Sequence, residues 1–166
     1  LDCCESGSTL RFLIPVACAF GVDTQFIGRG RLPQRPITPY LEEFPKHGVS
    51  FEYNNTMPFS TNGKLTGGKF YVDGGISSQF ITGLLFALPL LEEDSEIILT
   101  SHLESKPYVD ITLGTLREHG CQVAETENGY LVKGGQHYMP FSGRVEGDYS
   151  QAAFFKVANS LGSDID

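Results

Sequence analysis

The stretch GGISSQFITGLLFALPLL, Gly74 to Leu91, decides the fold. From Phe80 onward it is apolar nearly all round, with Ile81, Leu84, Leu85, Phe86 and Leu88 pointing in every helical direction. A helix of that kind is buried rather than laid on a surface. It nevertheless opens with Ser77, Ser78 and Gln79, two hydroxyls and an amide. The segment also has a counterpart upstream. SGSTLRF from Ser6 matches SSQFITG from Ser77, an offset of 77 − 6 = 71.

Other segments recur at the same spacing. Arg35-Pro36-Ile37-Thr38-Pro39-Tyr40 matches Lys106-Pro107-Tyr108-Val109-Asp110-Ile111 at 106 − 35 = 71, and KHGVSFEY from Lys46 matches EHGCQVAE from Glu118 at 118 − 46 = 72. DYSQAAFF begins a third copy, with Ser150 lying 150 − 78 = 72 beyond Ser78. Four matches in one order mark a repeat architecture.

Each unit reads as an apolar helix (8–20 and 77–91), a strand (22–27 and 95–100), an amphipathic helix (38–47 and 107–119) and a closing strand pair. The pairs are 49–54 with 69–73, and 121–126 with 129–133. Asn128-Gly129 is a tight hairpin signal. Gly48 and Gly120 suit left-handed helix stops. Thr38 reads as an N-cap with Pro39 at the first helical position. Pro15, inside helix 8–20, predicts a kink. Alternating helices and strands give an α/β fold of repeated units, buried helices central and sheets outside.

Composition narrows the function. The 166 residues are 40% hydrophobic and 19% charged, with a formal net charge of −8. That is a folding chain with the wrong sign for nucleic acid or an anionic membrane. Phe80–Leu91 is too short and too interrupted to span a bilayer. Leu1 in place of Met, with no charged leader ahead of an apolar run, reads as a fragment without a signal peptide. Cys3, Cys4, Cys18 and Cys121 lack zinc-site spacing and suit reduced thiols in a cytosolic protein.

The buried helices' N-termini are the natural anion sites, since they carry unpaired N–H groups and partial positive charge. Ser77, Ser78 and Gln79 exceed what a cap requires, and Gly7 lets a ligand approach the backbone. Arg29, Arg31 and Arg35 crowd one loop, GRGRLPQRPI, where Arg35 before proline offers a fork for carboxylate or phosphate. For either helix start alone simple capping is the plainer reading, and for the arginines alone a solvated basic loop. His47 and His119 precede helix-ending glycines and read as structural; His102 and His137 fit no pattern. Phe12, Phe80, Phe154 and Phe155 read as core, and Tyr108 as a residue packed at a helix start.

ESGSTLRFLIP, QRPITPYLEE, GGISSQFITGLLFALPLL, SKPYVDITL and EGDYSQAAFF together resemble EPSP synthase (3-phosphoshikimate 1-carboxyvinyltransferase), in that family's order across essentially the whole chain. The pair SSQF and SKPYVDIT separates it from the UDP-N-acetylglucosamine enolpyruvyl transferases, which share the fold and are the alternative within enzymes. A non-catalytic substrate-binding module is the alternative outside them. The resemblance implies an enzyme of the shikimate pathway that joins phosphoenolpyruvate to the 5-hydroxyl of shikimate 3-phosphate and releases phosphate, with no cofactor and no metal. It implies a two-domain, monomeric, cytoplasmic protein built of βαβαββ units, in which residues 1–146 hold two units of one domain and 147–166 are a crossover and the start of the next unit in the other.

It also assigns residues. Ser77, Ser78, Gln79 and Ser105 match positions that hold shikimate 3-phosphate. Gly7, Arg35 and Gln79 match positions at phosphoenolpyruvate, and a larger residue at the Gly7 position goes with glyphosate tolerance. Tyr108 and Arg11 are weaker substrate-binding candidates. Cys4 stands where glycine is usual. No position matches the family's proton-transfer residues, so the expectation is a fragment without catalytic residues and inactive alone.

Overall fold

A computed structural model of the chain describes residues 1–145 and 147–165. Glu146, at the expected domain boundary, and Asp166 lie outside the described residues. Two apolar helices, α1 (Gly7–Ala19) and α3 (Ser78–Ala87), pack against each other at the centre. Leu10, Ile14 and Cys18 of α1 meet Phe80, Ile81, Leu84 and Leu85 of α3 in a single core.

Two sheets flank this pair. The first takes β1 (Thr24–Phe26), β2 (Val49–Glu52) and β3 (Phe59–Gly63) in the antiparallel order β1-β3-β2. The second takes β4 (Gly68–Val72), β5 (Ser95–Leu99), β6 (Val123–Thr126) and β7 (Gly129–Val132) in the order β4-β5-β7-β6. In sequence α2 (Thr38–Glu43) lies between β1 and β2, and α4 (Lys106–Glu118) between β5 and β6.

The second unit therefore reads β4-α3-β5-α4-β6-β7. A helical crossover joins β4 to β5, which pair in parallel with Phe70 opposite Ile97, as parallel neighbours require. The first unit repeats that order from α1 onward. Ahead of it, Asp2 forms a parallel bridge to Ile27, with Ile27 N–H donating to the Leu1 carbonyl at 2.9 Å and Cys3 N–H to the Ile27 carbonyl at 2.9 Å. Asp2 lies 73 − 2 = 71 residues before Asp73, at the end of β4, so the same parallel contact recurs in both units.

The expected pairing of 49–54 with 69–73 is corrected. β2 pairs with β3, Phe51 opposite Thr61, and 68–72 opens the second unit instead. The missed strand FSTNG is polar and ends in glycine, composition that disfavours a strand on propensity alone. Thr38 is corrected too. It is the first helical residue, the N-cap is Ile37 without a side-chain cap, and Pro39 follows at the second position. The expected helix 77–91 ends earlier, with a 3-10 turn at Leu88–Leu90 around Pro89. Gly48 and Gly120 do adopt the left-handed conformation, at φ 85° and 81°.

Pro15 does not divide α1. Proline supplies no N–H to the carbonyl four residues earlier, here that of Arg11. The buried Tyr40 hydroxyl fills the vacancy, donating to the Arg11 carbonyl at 2.8 Å with the Phe80 carbonyl 3.1 Å away. One phenol thus ties α2 to both central helices, and a Cβ on Gly83 would collide with that hydroxyl and with the Arg11 carbonyl. Burial drives the Tyr40 phenol well above its ordinary pKa.

His47 is buried, stacked 3.9 Å from the Phe70 ring, with its two ring nitrogens 3.2 and 3.1 Å from the Gly67 and Lys69 carbonyls. Its place is structural. Phe154 and Phe155 are not core: they are 73% and 56% exposed. They lie on α5 (Tyr149–Ser160), capped by Asp148, which buries none of its side chains. All four cysteines are free thiols. No helix is long and apolar enough to cross a membrane among the described residues.

Candidate functional site

The site begins at the loop feeding α3. β4 gives way to Asp73, whose Oδ1 accepts from Gly75 N–H at 2.8 Å and from the Ser101 hydroxyl. Gly75 N–H also lies 3.1 Å from Ser101 Oγ. Those bonds hold the Asp73 carboxyl below its usual range, the Ser101 hydroxyl contributing most and Gly75 N–H next. The turn they close delivers Ser77 in extended conformation at the N-cap of α3, where its hydroxyl accepts from Gln79 N–H at 3.3 Å. Ser77 therefore does cap. Ser78 is only 8% exposed.

These residues line a cavity of about 400 Å³ at the N-terminal ends of α3 and α4. Ser8, Ser77, Ser78, Gln79 and Ser105 form its polar side, while Phe12, Phe86 and Ile111 form an apolar wall. Ser105 enters α4 in the left-handed conformation, φ 58°, and makes no side-chain cap bond. A non-glycine residue there is uncommon and marks a constrained position. Tyr108 lines the cavity at 62% exposure rather than packing into the core. The residues lining this cavity include no carboxylate, imidazole, thiol or amine.

Gln79 joins α3 to α1. Its Nε2 donates to Ser8 Oγ at 2.8 Å, and its Oε1 accepts from Arg11 Nη1 at 2.7 Å. Arg11 is 7% exposed, packed 4.7 Å over the Phe80 ring, and donates from Nη2 to the Pro36 carbonyl at 3.1 Å. Burial lowers its pKa, and the nearby Arg35 guanidinium lowers it further. Gly7 and Arg35 meet next to it. A Cβ built on Gly7 would lie 2.6 Å from Arg35 Nη1, so the glycine admits the arginine.

The structure thus brings Ser77, Ser78, Gln79, Ser105 and Tyr108 to one cavity, with Gly7 and Arg35 adjacent and Arg11 between the two groups. Arg29, by contrast, turns to Cys4. Its N–H donates to the Cys4 carbonyl at 2.7 Å and its Nη2 to Cys4 Sγ at 3.5 Å. Cys4 itself sits at φ 50°, a conformation glycine adopts without strain.

Sequence reasoning missed Ser8, along with Thr112 and Thr115 on the α4 wall. The signal for Ser8 was the repeat itself. Ser8 and Gln79 are 79 − 8 = 71 residues apart, so positions equivalent by repeat touch each other.

What this geometry suits is an anion with hydroxyl groups. Hydroxyls, an amide donor and two helix N-termini face one space, and two guanidiniums stand behind it. The sequence model of the family described as EPSP synthase (3-phosphoshikimate 1-carboxyvinyltransferase) matches residues 1–164. Curated 3-phosphoshikimate 1-carboxyvinyltransferases from Clostridium beijerinckii and Clostridium perfringens are 47% and 49% identical over 99% of this chain. That from Clostridioides difficile is 48% identical over the same share. The chain spans only 38–39% of the length of these relatives. A solved EPSP synthase from Acinetobacter baumannii superposes on 95% of the chain, and on 35% of its own, with a TM-score of 0.75 at 24% identity. The βαβαββ units are thus those of the enolpyruvyl transferase fold, and the chain belongs to the EPSP synthase family.

Proposed function

We propose that the protein containing this chain transfers the enolpyruvyl group of phosphoenolpyruvate to the 5-hydroxyl of shikimate 3-phosphate, and that this chain supplies part of the substrate surface. In the reaction the hydroxyl gives up its proton to a base as its oxygen bonds to C2 of phosphoenolpyruvate, and C3 takes a proton from an acid. Loss of phosphate and of a C3 proton then gives the enol ether. Ser77, Ser78 and Ser105 hold the 3-phosphate and its neighbouring hydroxyls, with the N-termini of α3 and α4 favouring the negative charge. Gln79 reaches both substrates. Arg35 holds the phosphoenolpyruvate phosphate, and Gly7 leaves it room. Tyr108 closes one side of the cavity against the ring.

The observation that carries this proposal is the convergence of Ser77, Ser78, Gln79 and Ser105 on one cavity. It occurs in a chain almost half identical to proteins named for that reaction. Among the described residues the cavity wall offers no carboxylate, imidazole, thiol or amine, and proton transfer needs a suitable acid and base within hydrogen-bond reach. The chain alone is therefore inactive. Residues 1–146 form two units of one domain, and 147–166 lead into the other. The whole protein is a cytoplasmic monomer that needs no cofactor.

Titrating shikimate 3-phosphate into the isotope-labelled chain tests the assignment. Amide shifts centred on Ser77–Gln79 and Ser105 are expected, with binding weaker than that of a complete enzyme. Shifts confined to the sheets would overturn it. Phosphate release from the two substrates together should stay at background, and turnover would show that the acid–base groups are present after all.

A further inference from the structure

We propose that Arg11 is the positioning residue of this site. It fixes the Gln79 carboxamide with its nitrogen forward and, through the Pro36 carbonyl, holds the Arg35 corner in place before any ligand arrives. The family match supplies the ligand for this proposal, but the positioning rests on the hydrogen bonds alone.

An arginine can only donate hydrogen bonds. Arg11 Nη1, 2.7 Å from the Gln79 amide, therefore selects the oxygen as its neighbour. The amide nitrogen is turned the other way, to Ser8 Oγ at 2.8 Å. One of its two hydrogens is used there, and the second is left at the wall of the cavity that Gln79 lines. Gln79 thereby becomes a donor to whatever occupies the cavity, which suits an anionic oxygen and disfavours a cation.

The other end of the same guanidinium reaches the backbone beside Arg35, with Nη2 3.1 Å from the Pro36 carbonyl. Arg11 is thus bonded both to the α3 entrance and to the Arg35–Pro36 corner. Its own charge is left without a carboxylate partner among the described residues, and its Nε has no hydrogen-bond partner. A buried, unpaired guanidinium is unfavourable in a resting protein. Beside Arg35 it maintains a positive potential that an anion entering the cavity relieves.

The test uses the 166-residue chain and the variants Arg11→Met, Arg11→Lys and Gln79→Ala. The Gln79 side-chain NH2 resonances report positioning without any ligand. In the parent they should be a dispersed pair with restricted motion. In Arg11→Met they should collapse toward the positions of solvent-exposed glutamines while backbone shifts of β4–β7 stay in place. Arg11→Lys, which supplies one donor group in place of two, should give an intermediate pair and serves as the readout if the methionine variant does not fold. Shikimate 3-phosphate should bind about tenfold or more weakly to Arg11→Met, as expected for one charge-assisted bond lost, with partial recovery in Arg11→Lys. An unchanged Gln79 pair in a folded Arg11 variant overturns the proposal. So does undiminished affinity in Arg11→Met when Gln79→Ala has lost it. Failure of the parent chain to bind shikimate 3-phosphate would count against the proposed function, while the carboxamide resonances would still decide the role of Arg11.

Discussion

Gly7 and Arg35 illustrate how much one missing side chain can determine. Nothing in the backbone at Gly7 demands glycine, because its φ is not positive. The demand comes from Arg35, whose Nη1 would lie 2.6 Å from an added Cβ. The end of a flexible arginine yields more readily than a helix does. Gly7→Ala should therefore keep the fold, and its urea midpoint should match or exceed the parent's, since alanine in the first turn adds at most about 1 kcal/mol. The Arg35 guanidinium should move, visible as a shift of its Nε–H resonance. Affinity for phosphoenolpyruvate should fall wherever that residue is needed. Asp73 offers a second check at this scale. Its folded-state pKa lies below its unfolded value. Whatever stability the Ser101 and Gly75 bonds provide is thus present above the ordinary carboxylate range and lost as pH falls through the depressed folded value. A carboxyl-carbon titration should place Asp73 below the ordinary aspartate value, and Ser101→Ala should raise it toward that value.

At the level of elements, Tyr40 is the sharpest case. Tyr40→Phe keeps the ring contacts to Phe44 and Phe80 at 4.7 and 5.1 Å but leaves the buried Arg11 and Phe80 carbonyls without the phenol donor. Urea unfolding should register a loss of about 1–3 kcal/mol. The sequence showed Pro15 as a difficulty and could not show its solution, because the missing donor comes from a residue 29 positions away. The same division runs through the other elements. Helix periodicity, glycine stops and the Asn128-Gly129 hairpin were legible because each is written into a few adjacent residues. Strand partners were not. The alternation in 69–73 suits either neighbour, and only the crossover through α3 assigns it to β5. The candidate serines were legible as surplus polarity at a buried helix start. The Arg11–Gln79 link was not, since nothing local distinguishes an arginine that binds substrate from one that aims another side chain.

For the whole molecule, the two units carry the stability and α5 does not. Because α5 buries none of its side chains, deleting residues 147–166 should change the unfolding free energy by less than about 0.5 kcal/mol, the range typical of surface changes. Amide shifts from α1 to β7 should be retained. The truncation should also reduce self-association measured by light scattering, since it removes the exposed Tyr149, Phe154, Phe155 and Val157. An apolar α1–α3 flank, with Phe12, Phe20, Phe86 and Leu90, stays uncovered in either form. The bond between Ser8 and Gln79, at equivalent positions of the two units, has a consequence for how such a site arises. Equivalent positions that face each other within one chain are encoded separately, so the two sides of that contact can change one at a time. A hydroxyl of one unit facing an amide of the other, with an arginine serving that amide alone, is thus an asymmetry that the repeated backbone accommodates.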